Sequence, residues 1–214
     1  MDLKLRQGDF LTIFGPNGAG KTTLIKLLST ISRPTSGSIS IDGISAGTRP
    51  IDVRKLIGVV SHDSMLYGNL TARENLEFYG KMYDVPGLAE RVTALLERVG
   101  LSAARDQRAG TFSHGMQKRL SIARAFLHDP PFLLLDEPET GLDQQGIAML
   151  MDTLKVLGTE KRTILMTTHS LERGLRSCRQ VAILARGRIV YQEASAQLRD
   201  CDFAEIYRSH VEAK

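Results

Sequence analysis

The stretch Gly15 to Thr23, GPNGAGKTT, constrains this chain more than any other, because it fits G-x-x-x-x-G-K-[ST] with Gly15, Gly20, Lys21 and Thr22 at the required positions. Before it lies an apolar run, Phe10, Leu11, Ile13 and Phe14, which reads as a buried strand; Thr22 to Leu28 after it reads as a helix. A strand, a tight loop and a helix in that order make an anion cradle. Glycines let the backbone turn so that successive N–H groups and the positive helix end converge on phosphate. Gly15, Pro16, Asn17, Gly18, Ala19, Gly20, Lys21, Thr22 and Thr23 are therefore candidate nucleotide-binding residues. Lys21 adds a point charge near the β and γ phosphates, and the Thr22 hydroxyl suits Mg²⁺, a hard cation that prefers oxygen.

That opening commits the rest of the chain to an α/β fold. Apolar runs at Ile57 to Ser61, Phe132 to Leu135, Thr163 to Met166 and Val181 to Leu184 alternate with helical stretches, which argues for a mostly parallel sheet with crossover helices. From Thr71 to about His128 the pattern is helical throughout, carried by residues such as Leu76, Leu88, Val92, Leu95 and Leu96, and reads as an inserted lobe. Pro34 and Gly37 mark a turn before a strand at Ser38 to Asp42, which Asp42-Gly43 closes. The expected organisation is a single domain over 1–214: a nucleotide-binding core of 1–61 and 129–195, a helical lobe of 62–128, and a C-terminal helix within 196–214. In that helix Leu198, Phe203, Ile206, Tyr207 and Val211 recur at helical spacing behind a cap at Ser195.

Composition works mainly by exclusion. At 214 residues and 42% hydrophobic content the chain buries one good core. No apolar stretch approaches the ~20 residues needed to span a bilayer, and MDLKLRQGD lacks a signal-peptide core. Cys178 and Cys201 show neither metal-ligand spacing nor a secreted-disulfide pattern, so they read as packing residues in a reducing compartment. The net charge of +4 is scattered rather than blocked and selects no partner.

A second set of polar residues belongs with the loop. The run Phe132 to Leu135 ends in Asp136-Glu137-Pro138, which puts two carboxylates at the carboxyl end of a buried strand, where ligands of open α/β sheets sit. Asp136 suits Mg²⁺ through a water, and Glu137 suits a base that orients an attacking water toward the γ phosphate. His169 stands 33 residues after Asp136, at the end of the strand Thr163 to Thr167, and reaches the same edge. Its expected role is hydrogen bonding to the γ phosphate and the water.

With FSHGM at Phe112 to Met116 between these elements, the chain resembles an ATP-binding cassette (ABC) ATPase over nearly its whole length. The resemblance implies a P-loop ATPase that uses ATP and Mg²⁺. It also implies a head-to-tail dimer in which Ser113 and Gly115 of one ATPase subunit complete the site of the second. Asp143, in ETGLD, would link the two sites. A separate transmembrane permease subunit would meet the helical lobe, the only membrane contact being through that partner at the cytoplasmic face of the inner (plasma) membrane; no nucleic acid is expected. FSHGM departs from the usual LSGGQ at His114 and Met116, and a side chain at His114 demands a backbone that glycine adopts more freely.

His62 departs further, standing where the family has a glutamine. Imidazole is a poorer Mg²⁺ ligand than an amide oxygen, so His62 either contacts the water or γ phosphate or weakens the coupling between site and lobe. With LTARENL following, His62 is similar to the ATPase of bacterial haem exporters of cytochrome c maturation; drug- and polysaccharide-export ATPases share many of these features. The family usually begins upstream with an edge strand and an adenine-stacking aromatic residue, so both are expected to be missing, at roughly 1–3 kcal/mol of stacking. Two other classes stay open: a soluble ABC ATPase acting on nucleic acid or ribosomes, and an inactive regulatory cassette, which Glu137 and His169 oppose.

Overall fold

The computed structural model describes residues 1–157, 162–171, 174–175, 178–198 and 200–212, side chains at 155–157, 200–202 and 212 excepted. The side chain of Cys201, read above as a packing residue, lies outside that description. Strand β1 (Phe10–Phe14) starts the sheet, and β2 (Ser40–Ile41) and β3 (Ile44–Ser45) form a separate hairpin. Strands β4 (Ile57–Val60), β5 (Phe132–Asp136), β6 (Thr163–Thr168), β7 (Gln180–Ala185) and β8 (Arg188–Ala194) complete a six-stranded sheet in the order β4-β5-β6-β1-β7-β8. All neighbours are parallel except β7 and β8.

Continuous apolar strands follow from burial on both faces. Leu133, Leu135, Ile164 and Met166 face one side, while Leu11, Ile13, Leu134 and Leu165 face the other. The second face is covered by α1 (Lys21–Leu28) and α2 (Pro50–Leu56), through Leu24, Ile25 and Val53. On the first face lie α3 (Ala72–Met82), α4 (Leu88–Arg98), α5 (His114–Phe126) and α6 (Gln144–Leu157). The sequence starts α3 firmly: Thr71 accepts from the Glu74 N–H while the Glu74 carboxylate accepts from the Thr71 N–H, a reciprocal capping box. Val92, Leu95 and Leu96 turn one stripe of α4 inward. Helix α5 runs from the lobe onto β4, so closely that a side chain at Gly58 would strike the Ala125 carbonyl.

Three local expectations change. Only Ser40–Ile41 of the segment 38–42 pairs as strand, although Asp42 and Gly43 adopt the positive φ values, 51° and 73°, of a tight hairpin turn. Strand β8 was not foreseen, because it is an edge strand whose residues alternate between exposed and half-buried rather than forming an apolar run. The C-terminal helix α7 (Asp200–Glu212) begins later than Ala196. Ser195 opens a single 3-10 turn, and its hydroxyl donates to the Cys178 carbonyl (2.7 Å) instead of capping α7. The helix still packs on its own domain: fully buried Phe203 meets Phe14 with ring centroids 4.8 Å apart. Leu3 and Leu5 pack against the α1 side of the sheet. Among the described residues no helix is long and apolar enough to cross a membrane.

Candidate nucleotide site

Register gathers the site. Val60 pairs with Leu135, Asp136 with Thr167 and Thr168 with Phe14, so β4, β5, β6 and β1 end side by side. The residues just beyond those ends include His62, Glu137, His169 and Gly15.

In the phosphate loop Gly18 and Gly20 have φ of 79° and 104°, a region L side chains avoid. Gly15 is required for another reason: a Cβ there would lie 2.5 Å from the Leu184 carbonyl oxygen of β7. The Ala19 N–H donates to Pro16 O (3.2 Å), closing the turn, and Gly187 N–H donates to Ala19 O (2.9 Å). Lys21 is buried and its ammonium donates to Gly15 O (2.7 Å) and Pro16 O (3.2 Å), bracing the loop from within. Asn17, Gly18 and Thr23 are exposed, and Thr22 is half-buried in the first turn of α1.

Beside the loop stands Glu137. Its Oε1 lies 3.6 Å from Lys21 Nζ; its Oε2 lies 3.3 Å from His169 Nδ1 and 3.9 Å from His62 Nε2. Three residues far apart in sequence thus converge on one carboxylate that is only 13% exposed. Glu137 also has φ of 45°, left-handed and rare without glycine. Four hydrogen bonds hold it there: its N–H donates to Thr167 O (3.1 Å) and Oγ1 (3.3 Å), and its carbonyl accepts from the Thr140 N–H (3.1 Å) and Lys118 Nζ (3.4 Å). Asp136 is fully buried; Oδ1 accepts from the Thr167 hydroxyl at 2.6 Å, and Oδ2 has no hydrogen-bond partner among the described residues. A buried carboxylate oxygen without a donor is costly. It fits a site whose remaining partner is a hydrated cation.

The other predicted residues sit apart from this group. Among the described residues no hydrogen bond or ion pair joins Ser113, Gly115 or Asp143 to Lys21, Glu137 or His169. Ser113 is the N-cap of α5, accepting from the Met116 N–H (3.3 Å). Gly115 lies in the first turn, where helix N–H groups have no partner within the helix. His114 does not need a glycine conformation: it is the first residue of α5 and its φ is negative, contrary to the strain expected from the sequence. The glycine requirement passes to Gly141, at φ 82°, where a Cβ would stand 2.6 Å from His114 Nε2. Asp143 caps α6, its Oδ1 accepting from Gly146 N–H (2.7 Å) and Arg119 Nη2 (3.2 Å). Those two bonds, the backbone one foremost, hold its carboxyl below the usual range. His62, His114, Gln117 and Lys118 line one cleft of about 150 Å³.

Sequence reasoning passed over Thr167, Thr168, Glu139 and Lys118. Thr168 donates to buried Glu139 and accepts from the Ser170 N–H (3.0 Å), fixing the turn that carries His169. Two threonines closing an otherwise apolar strand were the available signal. For Lys118 there was none, because both its acceptors are backbone carbonyls.

A glycine loop at a helix N-terminus, beside a carboxylate ringed by a lysine and two histidines at parallel strand ends, defines a nucleoside-triphosphate hydrolase of the P-loop class. The ABC transporter family model matches residues 1–140. The chain belongs to that family, as an ATP-binding subunit and an ATPase. It is 33% identical to the ABC transporter ATP-binding protein NatA of Bacillus subtilis, over 96% of this chain and 85% of that protein. It is 35% identical to the Nod factor export ATP-binding protein I of Cupriavidus metallidurans, over 99% of this chain and 72% of that protein. Among solved structures, the dimeric post-hydrolysis state of the ATP-binding cassette MJ0796 bound to ADP and Pi superposes with a TM-score of 0.83 at 28% identity, over 90% of this chain and 88% of that one.

Proposed function

We propose that this chain is the ATP-hydrolysing subunit of an ABC exporter, acting as a head-to-tail pair with a second ATPase subunit on a separate membrane permease. The observation that carries the reading is the grouping of Lys21, His62 and His169 around Glu137. Glu137 orients water in line with the γ phosphate; Lys21 leaves its loop carbonyls for the β and γ phosphates; His169 donates to the γ phosphate. The Thr22 hydroxyl and, through a water, Oδ2 of Asp136 would hold Mg²⁺, which would supply charge neutralisation at the phosphates. Ser113 and the Gly115 N–H complete the opposite site, and Asp143 acts across the same interface.

In this reading 1–61 with 129–195 is the nucleotide core and 62–128 the lobe that meets the permease. A hydrophobic surface on the lobe supports that contact. Tyr67, Phe78 and Met82 are 45%, 43% and 53% exposed, and a groove of about 590 Å³ runs beside Phe78 and Met82. The protein would then sit peripherally at the cytoplasmic face of the plasma membrane, with no nucleic-acid partner. Export as the direction draws on the likeness to Nod factor export proteins. Haem, for cytochrome c maturation, is one cargo proposal, resting on His62 and the LTARENL segment; drugs and polysaccharides are the others.

Steady-state Mg-ATPase turnover of the chain and of Glu137→Gln tests the reading. General-base catalysis of this kind is worth on the order of 10²–10⁴, so the variant should lose at least about a hundredfold in kcat while still binding ATP. A Glu137→Gln protein with undiminished turnover would sink it.

A further inference from the structure

We propose that Lys118 is a positioning residue, which holds Glu137 in its left-handed conformation and ties the Ser61–His62 turn to the helix headed by Ser113. The inference rests on the reading of Glu137 given above and adds to it the residue through which α5 reaches the reacting carboxylate.

Lys118 is 6% exposed, one turn into α5. Its ammonium donates to two backbone carbonyls that belong to different elements: Ser61 O, just beyond β4, at 3.3 Å, and Glu137 O, just beyond β5, at 3.4 Å. Both are long for a charged donor, as befits a group shared between two acceptors. Burial pushes the lysine pKa down, and the nearby Asp136, Glu139 and Glu137 carboxylates pull it back up. The net direction is down, the three carboxylates offsetting only part of the cost of burying the cation.

The backbone of Glu137 gives the contact its function. A non-glycine residue at positive φ persists only where its surroundings determine it. On the amide side Thr167 of β6 determines it; on the carbonyl side the Thr140 N–H (3.1 Å) and Lys118 (3.4 Å) share the oxygen, and Lys118 is the contact that comes from α5. Deleting the ammonium leaves that carbonyl to the Thr140 N–H alone, which loosens the placement of the carboxylate beside His169 and Lys21. The same deletion releases Ser61 O and with it the neighbouring His62. Helix α5 is further fastened to this strand end by Arg124, which donates to Val59 O at 2.7 Å. A shift of Ser113 at the helix head is consequently felt at Glu137 and His62 together.

The test is a series at this position, Lys118→Met, Lys118→Gln and Lys118→Arg, read as kcat and KM for Mg-ATP together with the thermal midpoint of each purified chain. Positioning predicts a kcat loss on the order of tenfold or more for Met. Gln, which keeps one donor group, should lie between Met and Arg; Arg should be within about threefold of the parent, and KM should change less than twofold throughout. Equal kcat across the series overturns the proposal, as do kcat and KM worsening in step with the thermal midpoint. Should Lys118→Met not fold, the Gln and Arg variants decide alone: Arg must retain clearly more turnover than Gln. Glu137→Gln, run alongside, separates the two ideas. Full turnover in it defeats the reading of Glu137, whereas an inactive Glu137→Gln beside a fully active Lys118 series defeats only this inference.

Discussion

The phosphate loop and the head of α5 flank one sheet edge, yet they are built by different means. The loop is built mainly on its own carbonyls: over short sequence distances the Lys21 ammonium returns to Gly15 O and Pro16 O and the Ala19 N–H to Pro16 O, and one further backbone bond comes from Gly187. The α5 side is knitted by long side chains over great sequence distances. Lys118 reaches Ser61 across 57 residues and Arg124 reaches Val59 across 65. A backbone site tolerates no added atoms, and a side-chain site tolerates compensated exchange. That difference orders the expected effects.

The largest effect should come from Gly15→Ala. The new methyl would lie 2.5 Å from the Leu184 carbonyl, part of a strand that cannot retreat because β1 and β8 flank it. The loop must move instead, taking its N–H groups off the phosphates. ATP affinity measured by calorimetry should fall on the order of a thousandfold, about 4 kcal/mol or the equivalent of two lost charged hydrogen bonds, with the thermal midpoint little changed. Unchanged affinity would break the comparison, since the loop would then not depend on backbone closeness.

This contrast also explains what could be read in advance. The loop, the Asp136–Glu137 strand end and His169 were legible because each is a local pattern: a spacing of glycines, or a polar residue where an apolar run stops. Their convergence followed from parallel strands ending together. Lys118 was invisible as a site residue, because its acceptors are carbonyls, which leave no trace in residue type. Asp143 was expected from the resemblance to link two sites, whereas the structure shows it as the cap of α6, a role any helix start offers aspartate. The strain expected at His114 was misplaced by one contact. The histidine takes an ordinary helical backbone and Gly141, against its ring, carries the positive φ.

That last pair gives a middle-sized effect and a sharper form of the comparison. Gly141→Ala combines a strained φ with a clash against the His114 ring, and should cost about 1–3 kcal/mol of stability. Adding His114→Gly removes the clash while leaving the strained φ, so the double variant should recover part of the loss in a denaturant-midpoint cycle. A side-chain site allows such rescue. Strict additivity of the two changes would mean that the ring does not bear on Gly141.

The smallest effect concerns His128, just past the end of α5, another side chain that fastens the helix to β4. Its Nε2 lies 3.1 Å from Ile57 O, and its ring stacks on Tyr83 with centroids 4.0 Å apart and planes at 11°. Burial pushes its pKa down from 6.5 to about 4. Between those two values the unfolded chain binds the proton that the folded chain refuses, so stability is complete above about 6.5 and declines as pH falls toward 4. His128→Phe keeps the stack and abolishes the titration. Its thermal midpoint should accordingly fall less than the parent's between pH 7 and pH 5, by a few degrees. Parallel slopes in the two proteins would assign the acid loss to carboxylates elsewhere. A shallower slope in the variant would show that the seam between β4 and α5 owes part of its stability to a neutral imidazole, a dependence the backbone-built loop does not share.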